Sequence, residues 1–272
     1  MSNYRKNNPV ALVTGASSGI GLAVAERLTD AGYRVYGTSR RPENAGKFRF
    51  SMLTLDVTSS VSAEAIVSEL IAREGSIDLL VNNAGFGLEP AAAEESSISQ
   101  VQALFDTNFM GVVRMTRAVL PHMRAHGKGR IINIGSVLGL VPMPYMAFYA
   151  ASKHAVEAYT EALDHETRTA NIRASVIEPA YIRTQFEANN VPPDEPLDVY
   201  KVLRKTLKRA VSDAMKTADE PDVVAKVVVN AAQDTKPRLR YTAGKTATKL
   251  AFMRRFMPAA LLDAGIRKSL GL

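Results

Sequence analysis

Tyr149 and Lys153 are four residues apart in a stretch, residues 147–169, that we predict to be a helix. Residues at this spacing share one helix face, so the phenol and the ammonium point the same way. A phenol titrates near pH ~10 in water, and a neighbouring cation lowers that value. Ser136 ends the apolar run 130–136, a predicted strand, and its hydroxyl can hold an oxygen on which charge builds. This pattern predicts a proton-transfer site for a carbonyl or an alcohol, with Tyr149 as the acid/base.

The bare Tyr-x-x-x-Lys spacing is weak evidence, because it occurs again at residues 241–245. The second copy contains Gly244, and Val228 occupies the position where a serine would be needed. We therefore predict that residues 241–245 form a surface turn without a chemical role.

A glycine-rich turn follows the first predicted strand, residues 10–14. Gly15, Gly19 and Gly21 occur there at the spacing G-x-x-x-G-x-G, directly before a predicted helix, residues 20–31. Glycines allow close approach of the backbone to a pyrophosphate, and a helix N-terminus supplies free N–H groups. The strand, turn and helix together predict a phosphate cradle for a dinucleotide.

Charged and polar residues follow the next strands at matching positions. The second strand, residues 33–39, ends in Arg40 and Arg41 instead of the acid that binds the ribose of NAD, which favours the 2′-phosphate of NADP. Asp56 ends the third strand and is suited to an adenine amino group, and Asn83 follows the fourth, residues 77–81. An alternative for Arg40 is a solvated loop arginine.

The order of these elements predicts the fold. Strands alternate with helices, which is typical of a doubly wound α/β protein with a mostly parallel sheet and helices on both faces. Ligands of such sheets bind outside the carboxyl ends of the strands. The candidate residues each fall at or just after a strand end, namely Gly15, Arg40, Asp56, Asn83, Ser136 and Pro179.

Composition excludes several other classes of protein. The 272 residues are 46% hydrophobic and 22% charged, with no cysteine, so disulfides and thiolate chemistry are excluded and a reducing cytoplasm is expected. His122 and His126 have no third ligand nearby, and we expect no metal site. No apolar run reaches the ~18 residues of a membrane span. Residues 236–272 carry nine basic residues and one acid, so we place the net charge of +7 in a C-terminal tail.

Several motifs together resemble the short-chain dehydrogenase/reductase family. They are residues 14–21, residues 82–85, Asn108, Ser136 and residues 149–153, and the resemblance covers roughly residues 9–185. Residues 136–142, the helix from Tyr149 to Leu163 and the C-terminal extension are similar to the 17β-hydroxysteroid and retinol dehydrogenase branch. The resemblance implies a Rossmann-type NAD(P)-dependent oxidoreductase acting on CH–OH groups, usually a homodimer or homotetramer. The favoured cofactor is NADP(H), and NAD(H) is the alternative.

The resemblance also implies roles for individual residues. Asn108, Ser136, Tyr149 and Lys153 would be the catalytic set. Lys153 would hold the nicotinamide ribose, and Asn108 would brace a water that links Lys153 to solvent. The implied cofactor-binding residues are Gly15, Ser17, Ser18, Gly19, Ile20, Gly21, Arg40, Asp56, Val57, Asn83, Ala84, Gly85, Tyr149, Lys153, Pro179, Ile182 and Thr184. The family commonly has Pro-Gly where this chain has Pro179 and Ala180, so the nicotinamide side departs from the pattern.

We interpret the chain as one NAD(P)-binding domain, 1–272, with a proline-rich substrate lid at 180–216 and a basic extension at 243–272. The expected substrate is a small apolar carbonyl or alcohol, steroid-, retinoid- or lipid-like. The substrate-binding candidates are Ser136, Leu138, Met143, Met146, Tyr149, Tyr181 and Phe186, although the apolar ones also suit ordinary packing.

Two further hypotheses stay open. One alternative is an NADP-binding sensor or scaffold with little turnover. The basic tail mixes cations and apolar residues at helical spacing, which suits either a helix packed beside the cleft or contact with an anionic membrane surface. Nucleic-acid binding is not expected, because no recognition module accompanies the charge.

Overall fold

Seven parallel strands form one sheet in the order β3-β2-β1-β4-β5-β6-β7. The structure is a computed structural model and describes residues 8–41 and 47–270. The strands are β1 Val10–Val13, β2 Arg34–Ser39, β3 Ser51–Thr54, β4 Leu79–Asn82, β5 Gly129–Ile134, β6 Ile172–Pro179 and β7 Arg240–Ala243. This order reverses direction at β1, between β2 and β4, where open α/β sheets bind their ligands.

Nine α-helices occur in the described part of the chain. They are α1 Gly19–Asp30, α2 Ser60–Glu74, α3 Ile98–Phe105, α4 Gly111–His126, α5 Ala147–Thr167, α6 Lys201–Met215, α7 Pro221–Gln233, α8 Lys245–Phe256 and α9 Ala259–Leu270. A π-helical turn, Asp106–Met110, joins α3 to α4. The first helix stops as the sequence predicts, because Gly32 follows the cap residue Ala31 at φ +89°.

The sheet is buried on both faces, which explains why its strands read as nearly continuous apolar runs. Along β1, Ala11 and Val13 point to one layer and Val10 and Leu12 to the other. The first layer is completed by α1 and α7, and the second by α2, α4 and α5. One sheet with two helical layers therefore makes a single α/β domain of the Rossmann type.

The second Tyr-x-x-x-Lys copy is not a surface turn, and this prediction was wrong. Tyr241 lies in β7 and is buried, with its hydroxyl donating to Asp234 Oδ2 at 2.9 Å. The copy then continues through Gly244 into α8, so its lysine begins a helix on the outside of the sheet.

The segment after β6 is more regular and more basic than predicted. It contains α6, whose Leu207 is buried and whose Arg204 pairs with the buried carboxylate of Glu95. Residues 201–216 carry six basic residues and one acid, so the positive charge is not confined to the C-terminal tail. The prolines before α6 hid its helical spacing from the sequence-based interpretation.

Candidate active site

The turn after β1 has the geometry of a phosphate cradle. Gly15 and Gly19 have φ of +65° and +56°, a region that favours glycine. A Cβ on Gly21 would lie 2.2 Å from the Gly15 carbonyl oxygen, so a side chain there would close the turn. Ser18 makes no side-chain capping bond to α1, and Ser17 and Ser18 are exposed. The N-terminus of α1 therefore presents N–H groups and open space that fit a pyrophosphate.

A second turn holds this cradle in place. The amide nitrogen of Asn83 donates to the carbonyl oxygens of Thr14 and Gly15 at 2.9 and 3.0 Å. The Thr14 hydroxyl in turn accepts from the backbone N–H groups of Asn83 and Ala84 at 2.9 and 3.0 Å. The Asn83 side chain is thus used within the protein, and Thr14, the first residue of the motif at residues 14–21, is its counterpart.

The predicted adenosine side lies at the ends of β2 and β3. Arg40 and Arg41 are exposed, and the charge of Arg40 reaches Asp56. Asp56 accepts hydrogen bonds from the backbone and the hydroxyl of Thr58 at 2.9 and 2.7 Å, and these bonds lower its pKa. Val57 is buried next to it and lies against Gly111. A carboxylate and an exposed guanidinium therefore lie at the same end of the sheet.

Asn108 lies in the π-helical turn between α3 and α4, and its side chain is buried. Its amide oxygen accepts from Phe86 N at 3.0 Å and its amide nitrogen donates to Phe86 O at 2.9 Å. Single π turns inserted between helices are frequent at functional sites. The side chain clamps the segment after Gly85, whose added Cβ would lie 3.0 Å from Asn108 Oδ1. The water-bracing role implied by the resemblance stays a prediction.

Ser136, Tyr149 and Lys153 lie together at the carboxyl edge. Ser136 follows β5, accepts from Leu138 N at 3.1 Å, and its hydroxyl lies close enough to the Tyr149 phenol to lower the pKa of that group. The Lys153 ammonium lies 5.7 Å from the centre of the Tyr149 ring. Lys153 is buried and donates to the carbonyl oxygen of Ile134 at 2.9 Å. A hydroxyl, a phenol and an amine therefore share one cleft wall.

The pKa values at this wall differ from the sequence-based expectation. Burial raises the pKa of Tyr149 above its ordinary value, the charge of Glu187 adds to that rise, and the Ser136 hydrogen bond opposes it. The predicted lowering by Lys153 is thus absent. Burial lowers the pKa of Lys153 to about 8, against the opposing charge of Glu157. Tyr149 is therefore a neutral phenol near neutral pH, which suits a proton donor.

The segment after β6 covers both halves of the site. Thr184 faces Gly19, since a Cβ there would lie 3.2 Å from the threonine methyl. Ile182 is buried and pairs with Asp219, while Pro179 ends β6. Phe186 packs edge-on against Tyr149 with ring centres 6.0 Å apart. Ile182, Thr184 and Phe186 thus lie over the cradle and the cleft wall.

The apolar substrate candidates lie on the segments after β5 and β6. The Tyr181 hydroxyl reaches Met143 Sδ at 4.0 Å, and Leu138 and Met146 are half-buried beside them in sequence. The lid segment joins the body where Val191 N donates to Gly87 O at 3.0 Å and Glu89 N donates to Val191 O at 2.9 Å. The predicted lid segment is therefore tied by backbone hydrogen bonds to the segment after β4.

None of the helices in residues 8–41 and 47–270 has the length and apolar character needed to cross a bilayer. Within the same residues, no group of three or more His, Asp or Glu side chains could hold a metal ion.

Known proteins match this chain over most of its length. The family model described as short chain dehydrogenase matches residues 9–195. A 3-ketodihydrosphingosine reductase from Bacteroides thetaiotaomicron is 46% identical over 181 residues, which is 66% of this chain and 66% of that protein. Human retinol dehydrogenase 8 is 34% identical and covers 84% of this chain and 79% of its own.

Solved structures share the fold. A short-chain dehydrogenase from Streptomyces avermitilis has a TM-score of 0.82 at 30% identity. The superposition covers 100% of this chain and 99% of the Streptomyces chain. A serine dehydrogenase complexed with NADP+ has a TM-score of 0.74 at 28% identity, covering 86% and 93% of the two chains. A short chain dehydrogenase/reductase from Burkholderia phymatum in complex with NAD has a TM-score of 0.78 at 26% identity, covering 94% and 95%.

Proposed function

This chain belongs to the short-chain dehydrogenase/reductase family of oxidoreductases that act on CH–OH groups, and we propose that it transfers a hydride between NADP(H) and an apolar substrate. The substrate is a ketone, an aldehyde or a secondary alcohol of steroid-, retinoid- or lipid-like character. The observation that carries the proposal is the convergence of Ser136, Tyr149 and Lys153 beside the cradle at Gly15.

The protein's own residues handle the proton. When bound, the nicotinamide supplies or accepts the hydride. Tyr149 donates its phenolic proton to the substrate oxygen during reduction and takes a proton from the alcohol during oxidation. Ser136 holds the same oxygen by a hydrogen bond while charge builds on it. Lys153, held by the Ile134 carbonyl, presents its ammonium beside Tyr149 and, as the family resemblance implies, holds the nicotinamide ribose.

The residues that would hold the cofactor are those at the strand ends. Ser17, Ser18 and the glycines of the cradle surround the pyrophosphate position, and Asn83 stabilises that turn from β4. Arg40 favours NADP(H), because an exposed guanidinium at the end of β2 provides charge-assisted bonds to a 2′-phosphate. The contribution of Asn108 is a braced water that relays protons from Lys153.

The apolar lining supports an apolar substrate. Phe186 packs on Tyr149, and Tyr181 contacts the Met143 thioether; these rings and the thioether offer few hydrogen bonds to a polar substrate. Two relatives carry the names 3-ketodihydrosphingosine reductase and retinol dehydrogenase 8, and both names describe lipid-like substrates. The lid from 180 to 216 retains such a substrate.

The direct test is a turnover screen. NADPH and NADH are each offered with long-chain 3-keto lipids, steroids, retinoids and small aromatic ketones, and oxidation of the cofactor is followed by absorbance. We expect NADPH-dependent reduction of at least one apolar class. Tight NADPH binding without turnover on any class would instead favour the alternative, a sensor or scaffold protein.

Two surfaces on the C-terminal segments support a second proposal, peripheral contact with an anionic membrane. Phe252 and Phe256 on α8 are 64% and 63% exposed, and Arg255 lies 5.4 Å from the Phe256 ring centre. Exposed aromatic rings beside cations suit the interface of an anionic bilayer. On α6, Val202 is equally outward-facing and is flanked by exposed Lys201 and Lys205.

The proposal also covers the oligomeric state of the protein and its location in the cell. We infer a homodimer or homotetramer acting in the cytoplasm, in keeping with the absence of cysteine. Light scattering coupled to size-exclusion chromatography measures the assembly, and a monomer at micromolar concentration would contradict it.

A further inference from the structure

Two buried carboxyl groups lie behind Lys153 and have no part in the proposed proton transfer. Glu157 follows Lys153 by one helical turn on α5 and is 4% exposed. Glu178 lies near the end of β6 and is 1% exposed. Acidic side chains are almost never buried so completely unless they are paired, so their position calls for a physical reason.

One guanidinium serves both carboxyl groups. Arg240 on β7 donates through Nε to Glu157 Oε2 at 3.0 Å, and the same nitrogen lies 3.6 Å from Glu178 Oε1. Its Nη2 donates to the more exposed Glu161 at 2.8 Å. Within the described residues, Oε1 of Glu157 and Oε1 of Glu178 have no hydrogen-bond partner. Two buried carboxylates therefore compete for one cation.

Burial and this competition change how the pair titrates. Burial raises the pKa of Glu157 to about 7, and the charge of Glu178 contributes to the rise while Arg240 opposes it. Burial likewise raises the pKa of Glu178 to about 7. The negative charge of Glu157 raises the pKa of Lys153, which burial has lowered. The charge on Lys153 is thus coupled to a group outside the cleft.

Glu157 also supports the turn that carries Ser136. A Cβ on Gly135 would lie 2.9 Å from Glu157 Oε1, and one on Gly139 would lie 3.0 Å from Glu157 Cγ and 3.1 Å from Lys153 O. Gly135, directly before Ser136, and Gly139, three residues after it, therefore lie against the Glu157 side chain. The Glu157 side chain is therefore linked to both the turn that carries Ser136 and the helical turn that carries Lys153.

We propose that Glu157, held by Arg240 and opposed by Glu178, is a positioning residue that keeps Lys153 positively charged and fixes the Ser136 turn. This inference rests on the proposed function for its effect on catalysis, but the coupling between Glu157 and Lys153 does not. The charged groups that face this region are Glu157 and Glu161 from α5, Glu178 from β6, Arg240 from β7 and Glu187 beside Tyr149.

The coupling is measured directly on Lys153. The protein is labelled with 13C at the lysine Cε, the Lys153 signal is assigned by its loss in Lys153→Arg, and its shift is followed against pH. We expect the pKa of Lys153 to fall by roughly one unit in Glu157→Gln. In Glu178→Gln, Arg240 pairs with Glu157 without competition from a second carboxylate, and Glu157 stays ionised. The pKa of Lys153 should therefore not fall.

The matched control is Glu161→Gln, which removes an exposed carboxylate from the same guanidinium without facing Lys153. Circular dichroism verifies that each isosteric variant folds. A Lys153 pKa that is unchanged in Glu157→Gln, or that falls equally in all three variants, would overturn the proposal. With an active substrate, the basic limb of kcat/KM should move to lower pH in Glu157→Gln alone. A null turnover screen would refute the proposed function and leave the titration result standing.

Discussion

Asn83 joins the turn after β4 to the turn after β1, because its amide nitrogen donates to the carbonyl oxygens of both Thr14 and Gly15. The contact crosses 68 or 69 positions of sequence, so it acts as a long-range tie. It also fills the space above Gly21, where a Cβ would lie 2.4 Å from the same nitrogen. The shape of the phosphate cradle therefore depends on a residue from another strand.

Asn83→Ala should weaken cofactor binding more than it alters the apolar cleft. Removing the amide leaves two carbonyl oxygens without their donor, at a cost of about 1–3 kcal/mol in unfolding free energy. We expect the Kd for NADPH to rise by roughly tenfold as the turn loosens. NADPH fluorescence titration and urea unfolding measure the two effects. The control is Asn230→Ala on the exposed face of α7, and equal Kd values for both variants would contradict this role.

Arg40→Ala should reduce the preference for NADPH over NADH. A charge-assisted hydrogen bond contributes about 1.5–3 kcal/mol, so the ratio of the two kcat/KM values should fall by roughly ten- to a hundredfold. The loss should appear in NADPH kinetics while NADH kinetics stay nearly constant. Arg41→Ala, which removes the next exposed guanidinium, should change the ratio less. An unchanged ratio in Arg40→Ala would mean that this residue does not bind the 2′-phosphate.

The buried carboxyl Glu178 should make the fold less stable as pH rises. Its pKa is raised from 4.5 to about 7, so the neutral form is favoured in the folded state. Its stabilising contribution is complete below pH 4.5 and is lost as pH rises through about 7. Glutamine has about the shape of neutral glutamic acid but does not ionise. At pH 8, Glu178→Gln should therefore be more stable than wild type by on the order of 1–3 kcal/mol.

Urea unfolding at pH 4.5 and pH 8 measures this pH dependence. The gain in unfolding free energy of Glu178→Gln over wild type should appear only at pH 8. Glu161→Gln is again the control, because its partner Arg240 lowers the pKa of Glu161 and the substitution should cost stability at pH 8. A stabilising effect of Glu178→Gln that is equal at both pH values would show that ionisation is not its cause.

Phe252→Ser with Phe256→Ser should reduce binding to anionic vesicles. The two rings are exposed and stand near Arg254 and Arg255, so their removal takes away apolar insertion and leaves the charge. Sedimentation with phosphatidylglycerol vesicles should show several-fold less bound protein than wild type. The control is Val61→Ser with Ile98→Ser, since these side chains are 77% and 74% exposed on α2 and α3. Equal binding of both double variants would refute the proposed face.

Much of the fold could be predicted because its signals are local. Buried parallel strands appear as short apolar runs, and the cradle appears as glycines between a strand and a helix. The placement of Ser136 and Tyr149 followed from strand ends and helical spacing. The sequence did not show that Ala247 and Leu262 of the basic extension are buried, which only the structure reveals.

The features that the sequence did not predict depend on contacts between residues far apart in the chain or on how deeply a group is buried. Thr14, Glu157, Glu178 and Arg240 become a part of the site only when β4, α5, β6 and β7 are aligned. The direction of the Tyr149 pKa was predicted wrongly, because spacing gives its neighbour Lys153 but not the burial that dominates both groups. Helix α6 was missed because Pro192, Pro193 and Pro196 precede its apolar periodicity.

The central claim is that the Tyr149 phenol transfers the proton to and from the substrate oxygen. Tyr149→Phe removes that hydroxyl and keeps the ring that packs on Phe186. With the best substrate of the screen, single-turnover kinetics should show a loss of about 10²–10⁴-fold in the rate of reduction, while the Kd for NADPH stays near the wild-type value. A Tyr149→Phe variant that reduces the substrate as fast as wild type would contradict the claim.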